Sequence, residues 1–352
     1  MARKPAWQSW LMTQWLQPAP GWRVWPLMPL SWLYGALTAT LRATYTLGLR
    51  HAVRPRCRVI VVGNLITGGA GKTPAVIAIV KWLRSQGHVP GVVSRGYGRT
   101  AHGLAFVNST SPPEQVGDEP VLIHLRTGAP VVVAADRGMA AEELCSLHPS
   151  VNVIVSDDGL QHLRLARDIE ILMFDERGAG NGWMLPAGPL RDALPQHCLH
   201  PGPVRQLVLY STPRVTTHLT GYVGDRSLSG VIALSDWWRD PAAATLPLAR
   251  LRGRRLLAVA GLARPEAFFA MLEAQGLAVV RHPLPDHHDF AQLPWPSDEA
   301  DVIVTEKDAV KLRPERVGST RVWVARLDFE PVAGFYAALA ELLAETPLPP
   351  PP

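Results

Sequence analysis

A glycine-rich loop between an apolar run and a helical segment limits the possible folds of this chain more than any other feature. The β-branched run at residues 59–62 leads into the loop GNLITGGAGKTP at residues 63–74, and a helix is predicted over residues 74–86. Glycines allow backbone N–H groups to curl around phosphate oxygens, and the N-terminus of the following helix favours an anion. The sequence therefore predicts a phosphate-binding loop that joins a strand to a helix.

Two side chains at the end of this loop suit a bound nucleotide. Lys72 is predicted to reach the β- and γ-phosphates, and Thr73 to bind Mg²⁺ through its hydroxyl group. The match is to the GGxGKT variant, because Ile66 stands where the GxxxxGKT pattern has a glycine. The structural alternative is a glycine-rich turn with an idle lysine. The residues predicted to contact the nucleotide are Thr67, Gly68, Gly69, Ala70, Gly71, Lys72, Thr73 and Pro74.

Short β-branched runs alternate with helical stretches along the rest of the chain. Buried apolar strands that alternate with helices indicate a parallel sheet covered on both faces. We therefore predict an α/β fold: a P-loop NTPase-like parallel sheet with helices on both faces, a smaller C-terminal α/β lobe and an N-terminal amphipathic helix. The predicted strands are residues 59–62, 89–94, 130–135, 151–156, 169–175, 206–210, 256–261, 278–281, 301–305 and 321–325. The predicted domains are an N-terminal membrane-interface segment (1–57), the P-loop core (58–211), a linker with a hairpin (212–250), the C-terminal lobe (251–346) and a disordered tail (347–352).

The N-terminal segment has a composition that suits an anionic lipid surface. The first acidic residue of the chain is Glu114. Residues 1–113 therefore carry a net charge of +13, whereas the remaining residues carry −8. Six of the twelve tryptophans lie within the first 32 residues, and Trp favours the interface between headgroups and acyl chains. The uncharged run at residues 25–41 is shorter than the about 20 residues that span a bilayer. We predict an amphipathic helix in the interface, and the alternative is a helix packed on the protein's own core. Its apolar stripe is Leu30, Leu33, Tyr34, Leu37, Leu41, Tyr45 and Leu49.

A pair of carboxylates follows a buried run and points to a metal. The run at residues 151–156 ends in Asp157 and Asp158. Proteins with a phosphate loop hold Mg²⁺ with a carboxylate at the end of such a strand. Adjacent residues of a strand face opposite sides, so only one of the two carboxylates is predicted to contact the metal unless the chain turns there. A strand-end turn without a metal is the alternative.

Six short segments have no generic structural explanation. They are SRGYGR (94–99), GDEP (117–120), SDDGLQH (156–162), LPAGPLRD (185–192), DHH (286–288) and TEKD (305–308). Together with GGAGKTP in the loop, their order and spacing resemble the tetraacyldisaccharide 4'-kinase family, the lipid A 4'-kinases. The resemblance covers about residues 20–340, and the combination of segments is specific, although each segment alone would be weak.

The resemblance implies a reaction and a location. Members of the family transfer the γ-phosphate of ATP to the 4'-hydroxyl of a tetraacyl glucosamine disaccharide 1-phosphate and thereby make lipid IVA, with ATP and Mg²⁺ as cofactors. They are peripheral to the cytoplasmic face of the bacterial inner membrane. The expected partners are the acylated disaccharide phosphate and the anionic membrane surface. Neither a nucleic acid nor a protein partner is indicated.

The resemblance also implies roles for individual residues. Asp118 matches the family's general base, and His287 matches the histidine that pairs with it. Because His287 comes from the second half of the chain, this pairing is expected to require the two halves to meet over the substrate. Asp192 stands where many members carry Glu. The other implied residues are Lys72, Arg137 and Arg191 near the reacting phosphates, Gln161 beside the nucleotide, and Thr73, Asp157 and Asp158 at the metal.

Other interpretations of these residues stay open at this point. Asp118 could cap a helix that begins at Pro120, and His287 could be an ordinary loop histidine. Arg137 and Arg191 could form surface ion pairs. For the whole chain, the alternatives are a membrane-associated P-loop ATPase or GTPase switch and a non-catalytic membrane-binding module. The order Glu306, Lys307, Asp308 does not match the NKxD pattern of guanine readers, so the sequence favours ATP over GTP.

Overall fold

The computed structural model describes residues 6–69, 71–194 and 204–347. Ala70 of the predicted nucleotide site and residues 348–352 of the predicted tail lie outside these ranges. The described residues form a mixed α/β structure, which confirms the predicted fold class. None of their helices is both long enough and apolar enough to cross a membrane.

Strands and helices alternate through most of the described residues. The α-helices are α1 (Ala6–Trp15), α2 (Met28–Thr46), α3 (Lys72–Ser85), α4 (Pro113–Val116), α5 (Asp118–Thr127), α6 (Arg137–Leu147), α7 (Leu234–Arg239), α8 (Pro265–Ala274), α9 (Glu306–Ala309) and α10 (Ala333–Glu345). The strands are β1 (Arg58–Asn64), β2 (Pro90–Ser94), β3 (Ala105–Val107), β4 (Val131–Val133), β5 (Val153–Asp157), β6 (Ile169–Phe174), β7 (Arg205–Tyr210), β8 (Tyr222–Ala233), β9 (Arg255–Ala260), β10 (Ala278–Pro283), β11 (Asp301–Thr305) and β12 (Arg321–Pro331). Short 3₁₀ helices span Trp22–Leu27, Leu248–Leu251 and Pro314–Arg316.

The chain divides into two compact units, each built from separate stretches of sequence. The first unit comprises Met1–Lys72, Asp136–Asp225 and Pro331–Pro352, and the second comprises Thr73–Ala135 and Arg226–Glu330. The domain boundaries predicted from the sequence follow the chain order and stay predictions. Within residues 212–250, where the sequence predicts a linker with a hairpin, the structure has the twelve-residue strand β8 and the helix α7.

Parallel strands with buried residues form the centre of the first unit. Strand β1 lies between β5 and β6, and β7 continues the sheet beside β6, with all three pairings parallel. Every residue of β5 and β6 is buried, as expected for strands covered on both faces. Val62 of β1 is in register with Asp157 of β5. The loop after β1 and the carboxylates after β5 therefore leave the sheet at the same edge.

The second unit contains two groups of strands and a separate apolar core. Strand β9 pairs in parallel with β10 and β11, and β11 pairs in parallel with β12. Strand β2 pairs in parallel with β4, while β3 pairs with β4 in the antiparallel sense. The core under β9 and α8 includes Phe268, Phe269 and Leu272. The sequence analysis did not predict β3, which has only three residues and one buried side chain.

The N-terminal helix α2 contacts the first unit through its polar side. The Ser31 hydroxyl donates to the Met184 carbonyl at 2.9 Å and accepts from the Ala187 amide at 2.9 Å. The Tyr34 hydroxyl donates to the Arg191 carbonyl at 3.0 Å, so Tyr34 faces the protein although the sequence analysis placed it in the apolar stripe. The leucines of that stripe point the other way. Leu30, Leu33, Leu37 and Leu41 are 39–61% exposed, which contradicts the alternative that this stripe packs on the core.

Candidate active site

The lysine of the phosphate loop is held at the carboxyl end of β1. Lys72 begins α3, and its ammonium group lies 3.0 Å from Asn64 Oδ1 and 3.2 Å from Asp158 Oδ1. The Asn64 amide donates in turn to the Gly68 carbonyl at 2.9 Å. The last residue of β1 thus fixes both the cation and the curve of the loop, and the sequence analysis did not identify Asn64.

The backbone of the loop is held by Arg177, a residue that was not predicted from the sequence. Its guanidinium donates to the carbonyls of Thr67 at 3.0 Å and Gly69 at 2.7 Å. Asp175 accepts from Arg177 Nε at 2.9 Å and pairs with Nη2 at 2.8 Å. The C=O and N–H groups of a trans peptide point in opposite directions. Holding the Thr67 carbonyl on the side of Arg177 therefore turns the Gly68 N–H to the opposite side of the same peptide, where it can serve a phosphate.

The two adjacent carboxylates occupy different environments. Asp157 is the buried last residue of β5, whereas Asp158 follows with a φ of 50° in the left-handed region. The chain therefore turns at this point, which is the condition under which both carboxylates can serve one site. Burial raises the pKa of Asp158, but the charges of Lys72 and Arg191 outweigh it, so its pKa lies below the ordinary value. Asp158 is thus a carboxylate at neutral pH.

The other predicted polar residues of the first unit surround these carboxylates. Arg191 lies 3.3 Å from Asp158 Oδ2, and Arg137 donates to the Asp158 carbonyl at 3.4 Å. Gln161 donates to the Asn64 carbonyl and to Asp192 Oδ2, both at 3.4 Å. The structure therefore brings Lys72, Arg137, Asp158, Gln161 and Arg191 into one cluster, and their roles toward the phosphates stay predictions.

Asp192 has a partner that the sequence analysis did not anticipate. Arg42 of α2 lies 2.5 Å from Asp192 Oδ1, and Asp192 is buried. Burial raises the pKa of Asp192, although Arg42 opposes this effect. In this geometry the carboxylate joins the N-terminal helix to the site.

The donor atoms near the loop fit a magnesium ion. Carboxylate and hydroxyl oxygens are the ligands that Mg²⁺ prefers, and at phosphate sites it takes one or two carboxylates while water and phosphate fill the other positions. Asp157 and Asp158 supply such carboxylates, and Thr73 follows Lys72 in the first turn of α3. Among the described residues, no group of three or more His, Cys, Asp or Glu side chains forms an all-protein metal cage.

Asp118 and His287 are paired within the second unit. His287 Nδ1 lies 2.9 Å from Asp118 Oδ2, and the Asp118 side chain is 4% exposed. Because both residues belong to one unit, the expectation that this pairing requires the two halves of the chain to meet over the substrate is wrong. Gly117 makes the close turn before α5 with a φ of 94°, and an added Cβ there would lie 3.0 Å from Gly96 Cα.

Charged residues set the protonation of this pair. Burial raises the pKa of Asp118, but the hydrogen bond from His287 and the charges of Lys307 and Lys311 bring it below the ordinary value. The hydrogen bond with Asp118 raises the pKa of His287. Lys307 Nζ lies 3.1 Å from Glu119 Oε1 and 3.4 Å from His287 Nε2. Asp118 is therefore an ionised carboxylate with a hydrogen-bonded imidazole beside it, and this is the protonation state that a general base must have before it accepts a proton.

Comparisons with known proteins agree over nearly the whole chain. A family model described as tetraacyldisaccharide-1-P 4'-kinase matches residues 23–344. A tetraacyldisaccharide 4'-kinase from Methylibium petroleiphilum is 52% identical, with 97% of this chain and 95% of the relative covered. One from Leptothrix cholodnii is 49% identical, with 92% of each covered. A crystal structure of LpxK from Aquifex aeolicus in complex with ATP matches with a TM-score of 0.74 at 24% identity, covering 92% of this chain and 98% of that one, which shows a common fold.

We expect Arg177→Ala to weaken nucleotide binding more than it slows turnover. The variant loses two hydrogen bonds that orient the loop, so KM for the nucleotide should rise about tenfold, the equivalent of about 1.4 kcal/mol, while kcat changes by less than about threefold. Steady-state kinetics at fixed acceptor would measure both. Arg205→Ala, which removes a surface pair with Glu345, is the matched control and should leave KM unchanged. An unchanged KM in Arg177→Ala would show that the loop keeps its shape without the hydrogen bonds from Arg177.

Proposed function

This chain belongs to the tetraacyldisaccharide-1-P 4'-kinase family, and from that premise we propose how its residues transfer a phosphoryl group. It is a kinase of lipid A biosynthesis that phosphorylates the 4'-hydroxyl of a tetraacyl disaccharide 1-phosphate. The phosphoryl donor is ATP, in keeping with the ATP complex of the structural relative. The observation that best supports this assignment is the placement of Lys72 between Asn64 and Asp158 at the end of β1.

The first unit is proposed to bind the phosphates. The amides of Gly68, Gly69 and Gly71 and the ammonium group of Lys72 bind the β- and γ-phosphates, with Arg137 and Arg191 beside the transferred group. Asp157 and Asp158 of this unit would hold Mg²⁺, which neutralises charge on the phosphates when bound. Thr73, the residue that follows Lys72 along the chain, is the hydroxyl ligand predicted from the sequence. Lys72 exchanges its present partner, Asp158, for phosphate oxygen, because a phosphate carries more charge than a single carboxylate.

The second unit is proposed to activate the sugar hydroxyl. Asp118 accepts the proton of the 4'-hydroxyl, and the resulting oxygen attacks the γ-phosphorus as the bond to ADP breaks. His287 orients the carboxylate through the hydrogen bond at Nδ1. Since the pKa of Asp118 is depressed, this base remains available over the whole neutral range and is lost only as the pH falls through its folded value. The alternative role as a side-chain helix cap is weakened, because Asp118 is the first residue of α5 and its Oδ1 accepts from the neighbouring Glu119 amide, while no side-chain cap of α5 occurs among the described residues.

We predict that Lys72→Ala removes nearly all phosphoryl transfer and leaves the fold intact. Lys72 is the cation of the loop that reaches the transferred group, and phosphoryl transfer depends on such placed charge. The measurement is transfer from radiolabelled ATP to the acylated disaccharide phosphate, with circular dichroism as the fold control. Turnover close to that of the parent in a folded Lys72→Ala variant would contradict the proposed role of Lys72 in phosphoryl transfer. ATP hydrolysis by the parent that does not depend on the lipid would favour the P-loop switch instead.

We predict that Asp118→Asn lowers kcat by about 10²–10⁴ while KM for ATP stays nearly unchanged, since removal of a general base typically has this effect. If Asp118 and His287 act together in one catalytic step, the double variant Asp118→Asn/His287→Ala should be little slower than Asp118→Asn alone. Multiplicative losses would assign the two residues separate roles. A kcat within about threefold of the parent in folded Asp118→Asn would exclude Asp118 as the general base.

The exposed side of the N-terminal helices is proposed to bind the inner membrane from the cytoplasmic face. Leucines 30, 33, 37 and 41 of α2 form one exposed stripe, and the nearby Trp22, Trp25 and Trp32 are 60–71% exposed. Contiguous apolar surface of this kind marks an interaction site, and Trp favours the headgroup boundary. The basic residues of the same segment would add attraction to anionic lipids. This location brings the site to an acceptor whose acyl chains lie in the bilayer.

We predict that Leu33→Ser/Leu37→Ser weakens binding to vesicles of anionic phospholipid at least about tenfold, because two apolar side chains no longer enter the interface. Binding of the parent should fall as salt is added. The matched control is Leu147→Ser/Leu246→Ser, two leucines of comparable exposure outside this segment, and its binding should equal that of the parent. Equal binding of both double variants would contradict the interfacial assignment of α2.

A further inference from the structure

Lys311 is a buried lysine that the catalytic roles above do not use. Its side chain is 5% exposed and lies between two carboxylates, with Nζ 3.6 Å from Asp118 Oδ2 and 3.5 Å from Asp308 Oδ1. No described residue lies within hydrogen-bonding distance and geometry of that nitrogen. The ring of Phe290 approaches the same ammonium group, with 5.5 Å between Nζ and the ring centroid. Lys311 therefore interacts with the neighbouring residues through its charge rather than through hydrogen bonds.

Asp308 fixes the position of that charge. It is fully buried, with Oδ2 accepting from the Thr305 hydroxyl at 2.7 Å and from the Gly261 amide at 3.1 Å. These donors come from the ends of β11 and β9, which are central strands of the second unit. Burying an ammonium group is costly unless fixed charges compensate it. Burial raises the pKa of Asp308, and the charge of Lys311 opposes this rise. The strand ends thus fix the carboxyl group that holds Lys311 beside Asp118.

The other charged groups around Asp118 are already engaged with partners. His287 approaches from the loop after β10, and Lys307 approaches from α9. Lys307 also pairs with Glu119 at 3.1 Å and Asp286 at 3.5 Å, so its charge is shared with two carboxylates that are not the base. Lys311, by contrast, has only Asp118 and the anchored Asp308 as anionic neighbours among the ion pairs of the described residues.

We propose that Lys311 is a positioning residue for the phosphoryl transfer, an anchored buried cation that keeps the Asp118 carboxylate ionised and oriented toward the acceptor hydroxyl. The inference rests on the proposed role of Asp118 as the general base. At less than 4 Å in a buried site, one unit charge is enough to move the titration of a carboxylate by more than a factor of ten. Lys311 touches no reacting atom in this role and acts through Asp118.

The test compares the pH dependence of kcat in the parent protein and in single and double variants of the buried charges. Lys311→Met removes the cation and keeps an unbranched side chain. Without the cation the pKa of Asp118 rises, so the base becomes protonated at a pH where the parent is still active. We expect the acid limb of kcat to move up by about one pH unit, so that the ratio of kcat at pH 8.5 to kcat on that limb increases by up to about tenfold over that of the parent, with most activity restored at the higher pH.

Asp308→Asn is the matched control, because it breaks the same buried ion pair from the other side and leaves the cation in place. Its kcat ratio should not increase. The double variant Lys311→Met/Asp308→Asn leaves no unpaired buried charge, so it guards against misfolding of Lys311→Met, and its ratio should increase as in Lys311→Met. In a His287→Ala background the increase should persist, since the effect acts on Asp118.

A merely structural role for Lys311 predicts a different outcome, in which Lys311→Met and Asp308→Asn lose activity equally at every pH. That result, or an unchanged kcat ratio in the folded double variant, would overturn the inference. Asp118→Asn is measured in the same series. If it retains near-parent kcat, the proposed base itself fails. If it is inactive while the Lys311 variants keep the parent's profile, only the role of Lys311 fails.

Discussion

The first unit depends on a phosphate loop whose carbonyl groups are held by a neighbouring side chain. A loop that offers its amides to an anion cannot also satisfy them internally, so its shape must come from contacts to its carbonyls. Arg177 supplies these contacts at Thr67 and Gly69, and the Thr67 amide donates to the Pro189 carbonyl at 2.9 Å. The segment that contains Pro189 is therefore part of the loop's support as well as a source of Arg191.

The same segment explains the arrangement of the N-terminal helices. Trp15 donates through its indole nitrogen to the Pro186 carbonyl at 2.9 Å, and Ser31 contacts Met184 and Ala187. The polar side chains of these helices therefore contact residues 184–191. The leucines of α2 lie on the opposite side of the helix, which is exposed. The surface proposed to bind the membrane and the phosphate loop are held by contacts to the same segment, and the Arg42 pair with Asp192 adds an ionic contact between α2 and that segment.

The second unit contains several buried charged side chains, and each of them is paired with an opposite charge. Arg126 of α5 pairs with the buried Glu306 and with Asp328, both at 2.5 Å. Burial raises the pKa of Glu306, and Arg126 counteracts this rise. Such pairs contribute little net stability, but removing one partner is costly. They fix α5 against the start of α9, and through that contact they hold Asp118 at one end of α5 near Lys307 and Lys311.

The sequence by itself determined the local parts: strand β1, the glycine-rich loop and helix α3 were predicted because periodicity and glycine placement are local properties. The pairing of Asp118 with His287 came from the family resemblance, since 169 residues separate them and no local pattern joins them. Only the tertiary structure identified Arg177, Asn64 and Lys311, because a single Arg, Asn or Lys has no signature until its partners are placed. It also decided that Asp118 and His287 share one unit, since parallel strands gather residues from distant stretches at one edge of a sheet.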